Sequence, residues 1–223
     1  MMRPYPLKLL SIFTILTPSA RPHTRSSASV TSQPALKVED IACGYGAADI
    51  FSGLSFTLAM GEILQVTGRN GSGKTTLLRL LAGTKSCEYG HVAWAQEARI
   101  AVLGHRNGIK AELSPLENLS LYAPDKKECA AALERLGLER AHHRKPCYML
   151  SAGQQRKTAL ARVLLSGAAV WLLDEPFTAL DDKARATVAE LLAQHARRGG
   201  TAIVATHDRL DLDKSILREL VMS

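Results

Sequence analysis

No stretch of about 18 consecutive apolar residues occurs in this chain of 223 residues, so no segment has the length and polarity of a membrane-spanning helix. Aromatic residues are sparse, at 5%, and no run of Lys and Arg is interleaved with them, which removes the usual surface for neutralising and stacking nucleic acid. The four cysteines, Cys43, Cys87, Cys129 and Cys147, are scattered, with no C-x-x-C pair and no histidine at metal-ligand spacing. That excludes a zinc framework and reads as ordinary thiols of a reducing compartment. Acidic residues are missing before Glu39, whereas Arg3, Lys8, Arg21, Arg25 and Lys37 all precede it. Five of the seven net positive charges therefore lie in this first segment and two in the rest, so the body is nearly neutral and nucleic acid is not expected as a partner.

What is present is ordinary for a globular protein: 46% hydrophobic and 22% charged residues, at a length that suits one domain. Residues 1–37 combine a basic start, an apolar stretch at 9–16 and a Ser-, Thr- and Pro-rich remainder. They are expected to lie outside the fold as an unstructured basic tail, with the domain spanning 38–223. Two readings of the tail stay open: its Arg- and Ser-rich, acid-poor composition is that of a mitochondrial transit peptide, and a start codon placed too early would leave a translated tail of no consequence. Its basic start and short apolar run resemble a secretory signal, but Pro18 stands where a signal peptidase prefers a small residue.

From Val38, short apolar runs bounded by glycine imply an antiparallel β region. EILQVT at 62–67 reads as a buried strand and TTLLRLLAG as a helix ended by Gly83. IAVLG at 100–104 is a second buried strand. SPLENL then supplies a capping Ser114, a proline at the first helical position and Glu117 three residues after the cap. Residues 127–138 give a further helix with its apolar face on Ala130, Leu133 and Leu136, and ERAHHRK, with His142 and His143, reads as a solvated loop rather than a metal site. A helix opens at Ser151, AVWLLD is a strand, DDKARATVAELLAQHARR is a helix closed by Gly199 and Gly200, and TAIVATH is a strand. Strands alternating with helices of this length predict an α/β fold, with a mainly parallel sheet core, an antiparallel β subdomain and a small helical subdomain.

Between the strand at 62–67 and its helix stands GRNGSGKTT. Gly68, Gly71 and Gly73 permit backbone angles barred to other residues and let main-chain N–H groups approach an anion. The helix beginning at Lys74, Thr75 and Thr76 points its positive end into the same space, Lys74 can reach the β- and γ-phosphates, and the Thr75 hydroxyl can hold Mg²⁺. The match to G-x-x-x-x-G-K-[ST] is complete. Kinases, GTPases and ATPases share this loop, but no N-K-x-D segment is present to read guanine. AVWLLDE carries Asp174 and Glu175 to a strand end, where Asp174 can reach the metal through water and Glu175 can orient and deprotonate an attacking water.

LSAGQQRK, from Leu150, closely resembles the signature motif LSGGQ of ATP-binding-cassette ATPases, with Ala152 in place of the first glycine. The resemblance implies the P-loop fold of that family and a homodimer in which two ATP molecules are sandwiched, Ser151, Gly153 and Gln154 of one chain facing the γ-phosphate held by the other. It also implies a D-loop at TALD, with Asp181, and a switch histidine at His207. Residues from Gly68 through Asn70, Gly71, Ser72, Gly73, Lys74 and Thr75 to Thr76 would bind ATP. Tyr45 stands where the family stacks an aromatic on adenine. The glutamine expected after IAVLG is replaced by His105, which belongs with the ATP-binding residues because it can still donate to a ligand water, and whose charge can change near neutral pH.

GHRNGIKAELSPLENL and the stretches around the glycine loop and the signature are similar to the ATP-binding subunits of the cytochrome c maturation system, over about residues 38–220. That resemblance implies ATP and Mg²⁺ as cofactors and a peripheral place on the cytoplasmic side of the inner membrane, or the matrix side of the mitochondrial one. A CcmB-like membrane subunit is the implied partner, with CcmC, CcmD and the haem chaperone CcmE nearby. The implied work is coupling ATP hydrolysis to haem export or to release of the haem-loaded chaperone. The chain itself offers no Cys-Pro pair and no C-x-x-C-H for haem. The ATPase subunit of another transporter, or a soluble cassette ATPase outside transport, are the alternatives.

Overall fold

The computed structural model describes residues 34–45, 48–95 and 98–222, all within one unit, Ser32–Ser223. In chain order come strands β1 (Leu36–Tyr45), β2 (Ala48–Leu58) and β3 (Ile63–Gly68), helix α1 (Lys74–Leu81), and strands β4 (Tyr89–Trp94) and β5 (Ile100–Leu103). Helices α2 (Pro115–Ser120), α3 (Lys126–Arg135) and α4 (Ala152–Leu165) follow, then β6 (Val170–Asp174), α5 (Asp182–Arg197), β7 (Thr201–Ala205) and β8 (Leu217–Met222).

Two sheets result. The antiparallel one has the order β2-β1-β4, and the other, parallel throughout, has the order β5-β6-β7-β3-β8. Successive side chains of a strand leave on opposite faces, and here both faces of the parallel sheet are covered. Val170 and Leu172 of β6 pack with α1 and the antiparallel sheet, while Trp171 and Leu173 pack with α2, α3, α4 and α5. A strand buried on both sides needs an unbroken apolar run, which is why AVWLLD shows no alternation.

The helices start where their caps dictate. Ser114 and Glu117 close a capping box on α2, and Ser151 and Gln154 close another on α4. Asp125 and Asp181 accept N–H groups at the starts of α3 and α5.

The structure departs from the sequence-based expectation in five places. β1 begins at Leu36, whose side chain is fully buried, so the fold starts before Val38. β4 and β8 were not anticipated: β4 is mostly exposed or half-buried, and β8 is an edge strand with mixed polarity. The third helix stops at Arg135 rather than 138, and its buried face is Cys129, Ala132 and Leu133, with Ala130 only half-buried. His143 is buried, not solvated, because its Nε2 meets the carbonyl of Leu138 at 2.8 Å and satisfies the ring inside the core. Of the tail expected at 1–37, residues 1–33 lie outside the described residues.

Candidate active site

The parallel sheet brings four strand ends together. β5, β6, β7 and β3 are consecutive neighbours, so the residues after each strand converge on one rim, the place where parallel α/β sheets bind ligands. Gly68 ends β3, Asp174 ends β6, and His105 and His207 follow β5 and β7 closely.

The glycine loop is shaped by its backbone. Gly68 has φ 148°, and a Cβ there would collide with the carbonyl of Met222 and with Ser72 Oγ, so only glycine fits. Gly73, the cap of α1, has φ 96° and is closed in by Ile50 Cγ2 and Phe51 Cδ1, 2.6 and 2.8 Å from a Cβ position. Gly71, at φ 87°, and Asn70 lie exposed at the loop tip. Lys74 is buried to 9% exposure, and its Nζ donates to the carbonyls of Gly68 and Arg69 at 2.8 and 3.0 Å. Ser72 Oγ is buried without a partner among the described residues. A buried hydroxyl with nothing to donate to, beside an ammonium held only by neutral carbonyls and at a helix N-terminus, fits an anionic oxygen such as phosphate.

Thr75 Oγ1 donates to Asp174 Oδ2 at 2.8 Å, joining α1 to β6 across 99 residues of sequence. Asp174 is 4% exposed. The pair presents hydroxyl and carboxylate oxygens side by side, the donor chemistry of a Mg²⁺ site. Thr76, buried one position on, packs inside the start of α1.

Glu175 follows with φ 49°, in the left-handed region that costs a non-glycine residue about 1–3 kcal/mol. Its N–H donates to the carbonyl of Ala205 at 2.7 Å, and His207 Nδ1 lies 3.0 Å from its Oε2. The imidazole is largely exposed and the carboxylate largely buried, so the histidine covers the acid from the open side. Asp208, next to it, is engaged by Arg185 of α5, whose guanidinium also stands over the Phe177 ring.

The signature lies elsewhere on the chain. Ser151 Oγ accepts from the N–H of Gln154, and Gln154 Oε1 accepts from the N–H of Ser151. Gly153 has no room for a side chain because the carbonyl of Ala179 sits against it. These residues, with Lys157, Ala179 and Asp181, line a cavity of about 660 Å³ that no residue of the glycine loop borders. Asp181 caps α5 through the N–H of Ala184 at 2.7 Å and pairs with Lys157 at 3.2 Å, and both hold its carboxyl below the usual range.

Of the residues singled out from sequence, Gly68, Lys74, Thr75, Asp174, Glu175 and His207 are brought together, while Ser151, Gly153, Gln154 and Asp181 form a second group. His105 is exposed after β5, with no hydrogen bond to it among the described residues. Tyr45 ends β1, and its side chain is outside what is described. The sequence did not point to Arg156, Asn107, Lys157 or Arg185. Each acts through partners far away in the chain, and no local spacing marks them.

The chain matches the ABC transporter family over residues 51–178. It is 41% identical over 200 residues to the cytochrome c biogenesis ATP-binding export protein CcmA of Escherichia coli O157:H7, covering 84% of this chain and 96% of that protein. The protein of the same description in Escherichia coli strain K12 is 40% identical with the same coverage. Among solved structures, a dimeric ATP-binding cassette in a post-hydrolysis state with ADP and Pi superposes with a TM-score of 0.69 at 24% identity, covering 78% of this chain and 88% of that one. An ABC transporter ATP-binding protein from Pyrococcus furiosus gives 0.72 at 23% identity, covering 83% and 96%. Both support the same fold.

Proposed function

Since the chain belongs to the ABC transporter family, in the branch of the cytochrome c biogenesis ATP-binding export proteins, we propose how its residues perform the work of that branch. It is the ATP-hydrolysing subunit of a transporter complex in c-type cytochrome biogenesis. The observation that carries the residue roles is the rim itself, where Thr75 meets Asp174 at 2.8 Å and His207 meets Glu175 at 3.0 Å on adjacent strand ends.

Main-chain N–H groups of the loop and the start of α1 receive the phosphates, with Ser72 Oγ as a further donor and the Lys74 ammonium transferring from its carbonyls to phosphate oxygens. Thr75, with Asp174 through water, would hold Mg²⁺, which would supply charge neutralisation on the phosphates. Glu175 accepts the proton of the attacking water, and His207 orients that carboxylate and faces the γ-phosphate. Tyr45 stacks on adenine, and His105 borders the water site. Ser151, Gly153 and Gln154 line a cavity that no residue of the glycine loop borders, and the likeness of their motif to the cassette signature supports a role on the ATP of a second copy, with Asp181 at the crossing and a homodimer closed over two ATP molecules as the working unit.

This dimer sits peripherally on the cytoplasmic face of an inner membrane, or the matrix face of the mitochondrial one, on a CcmB-like subunit with CcmC, CcmD and CcmE nearby. Hydrolysis there drives haem export or release of the haem-loaded chaperone. We read the basic residues before β1 as standing outside the ATPase domain. Purification of the tagged chain from its own membranes, with mass spectrometry of what accompanies it and N-terminal sequencing of the chain, tests both. A CcmB-like subunit with haem-handling proteins is the expected result, and a different permease would overturn the haem assignment.

The chemistry is tested by Glu175→Gln. It is expected to keep ATP binding, to lose hydrolysis by about 100-fold or more, and to accumulate as an ATP-bound dimer in size-exclusion chromatography. Lys74→Ala is expected to weaken nucleotide binding itself. Hydrolysis at the wild-type rate in Glu175→Gln would remove Glu175 as the base.

A further inference from the structure

Arg156 lies on α4, two residues beyond Gln154 of the signature, and is 4% exposed. Its Nη1 donates to the carbonyl of Gly104 at 3.0 Å and to Asn107 Oδ1 at 2.9 Å. Its Nη2 donates to the carbonyl of Glu175 at 2.7 Å and to that of Asp174. One guanidinium thus gathers the end of β5, the loop after it and the end of β6.

A buried charge ordinarily survives because a carboxylate pairs with it. Here, among the described residues, every hydrogen-bond acceptor is a carbonyl, three of them main-chain, while the Asp174 and Glu175 carboxylates face other partners. Burial pulls the guanidinium down to about 10, against the opposing charges of Asp174 and Glu175, so it stays cationic at neutral pH. Its Nε is buried without a partner among the described residues. An arrangement that desolvates a cation to hold main-chain oxygens fixes backbone geometry, and the backbone it holds is that of Glu175 in the left-handed conformation. The N–H of Glu175 is held by Ala205 and its carbonyl by Arg156, so the peptide units on both sides are pinned.

We propose that Arg156 is a positioning residue for ATP hydrolysis: it fixes the backbone of Glu175 so that the carboxylate keeps its place beside His207, and it ties that position to the loop after β5. This rests on Glu175 being the base. A shift of about 1 Å in a catalytic group lowers rate by on the order of 100-fold without changing how substrate is bound.

The test is steady-state ATP hydrolysis in membranes carrying the full chain with its native partners, together with nucleotide affinity measured on the purified full chain. Arg156→Met is expected to lower kcat on the order of 100-fold, with ATP affinity within about threefold of wild type. Arg156→Lys, which reaches fewer carbonyls but keeps the charge, is expected to recover part of the rate. Asn107→Ala removes one arm only and keeps the test alive if Arg156→Met does not fold; a kcat about tenfold lower is expected, the scale of one hydrogen bond to a charged group. In a double-mutant cycle, Arg156→Met placed on Glu175→Gln is expected to add no further loss, because two residues acting as a unit are not additive. Multiplicative losses in that cycle, equal falls in affinity and kcat, or folded Arg156→Met hydrolysing at the wild-type rate would each overturn the assignment. Wild-type hydrolysis in Glu175→Gln alone would instead remove the base beneath it, which the parallel measurement separates.

Discussion

Glu175 and Gly73 both stand in the left-handed region, one as a strained acid and the other as a residue chosen for freedom there. At Gly73 a methyl group would meet Ile50 and Phe51 at 2.6 and 2.8 Å, so Gly73→Ala combines backbone strain with a collision against side chains of β2. The expected outcome is a loss of about 1–3 kcal/mol in urea unfolding, with weaker nucleotide binding on titration, since the start of α1 would shift with its cap. The glycine loop was legible in sequence because its chemistry is contiguous and each residue type has a distinct job. Arg156 was not, because its acceptors are carbonyls up to 52 positions away and carry no residue-type signal. His143 was misread for a related reason, as the Leu138 carbonyl that satisfies it is supplied by a turn and not by a side chain.

Helix starts were the most readable elements. Ser114, Pro115 and Glu117 announce α2, and the structure closes the full box, with Ser114 Oγ accepting from the Glu117 N–H and the Glu117 carboxylate accepting from Ser114. Ser114→Ala is expected to cost about 1 kcal/mol in chemical unfolding, whereas Ser114→Asp, which still accepts the N–H, recovers most of it. Strands were readable when buried on both faces, as at β3, β6 and β7, whose apolar runs have no other use. β8 escaped notice because an edge strand tolerates Arg218 and Glu219 in its middle, and Arg218 pairs outward with Glu62. β4 has three exposed residues of six and owes its place to pairing with β1 rather than to its own sequence.

Across the whole molecule, α5 is locked to the parallel sheet by His195, whose ring stacks on Trp171 at 3.9 Å between centroids, with Nε2 toward the Thr201 carbonyl at 3.3 Å. Gly200 lies so close to that ring that no side chain fits there. Burial holds the His195 pKa below its ordinary 6.5, with Arg198 adding to the effect and the Thr201 and Ala169 carbonyls opposing it. Between the folded value and 6.5 the unfolded chain binds more protons, so stability is complete above about 6.5 and falls as pH drops through the folded pKa. Melting temperature measured from pH 8 to 5 is expected to decline on the acid side, and His195→Phe, which keeps a ring on Trp171 and cannot charge, is expected to decline less. The order β5-β6-β7-β3-β8 carries a consequence for how the protein is made. β3 has its two neighbours at residues 201–205 and 217–222, and Gly68, which opens the phosphate loop, is paired with Met222. A ribosome that has synthesised the loop still has more than half of the chain to add before either neighbour exists, and such distant pairings form late. Nucleotide is therefore expected to find no finished site on the nascent chain until β8 has emerged to pair with the strand that carries the loop.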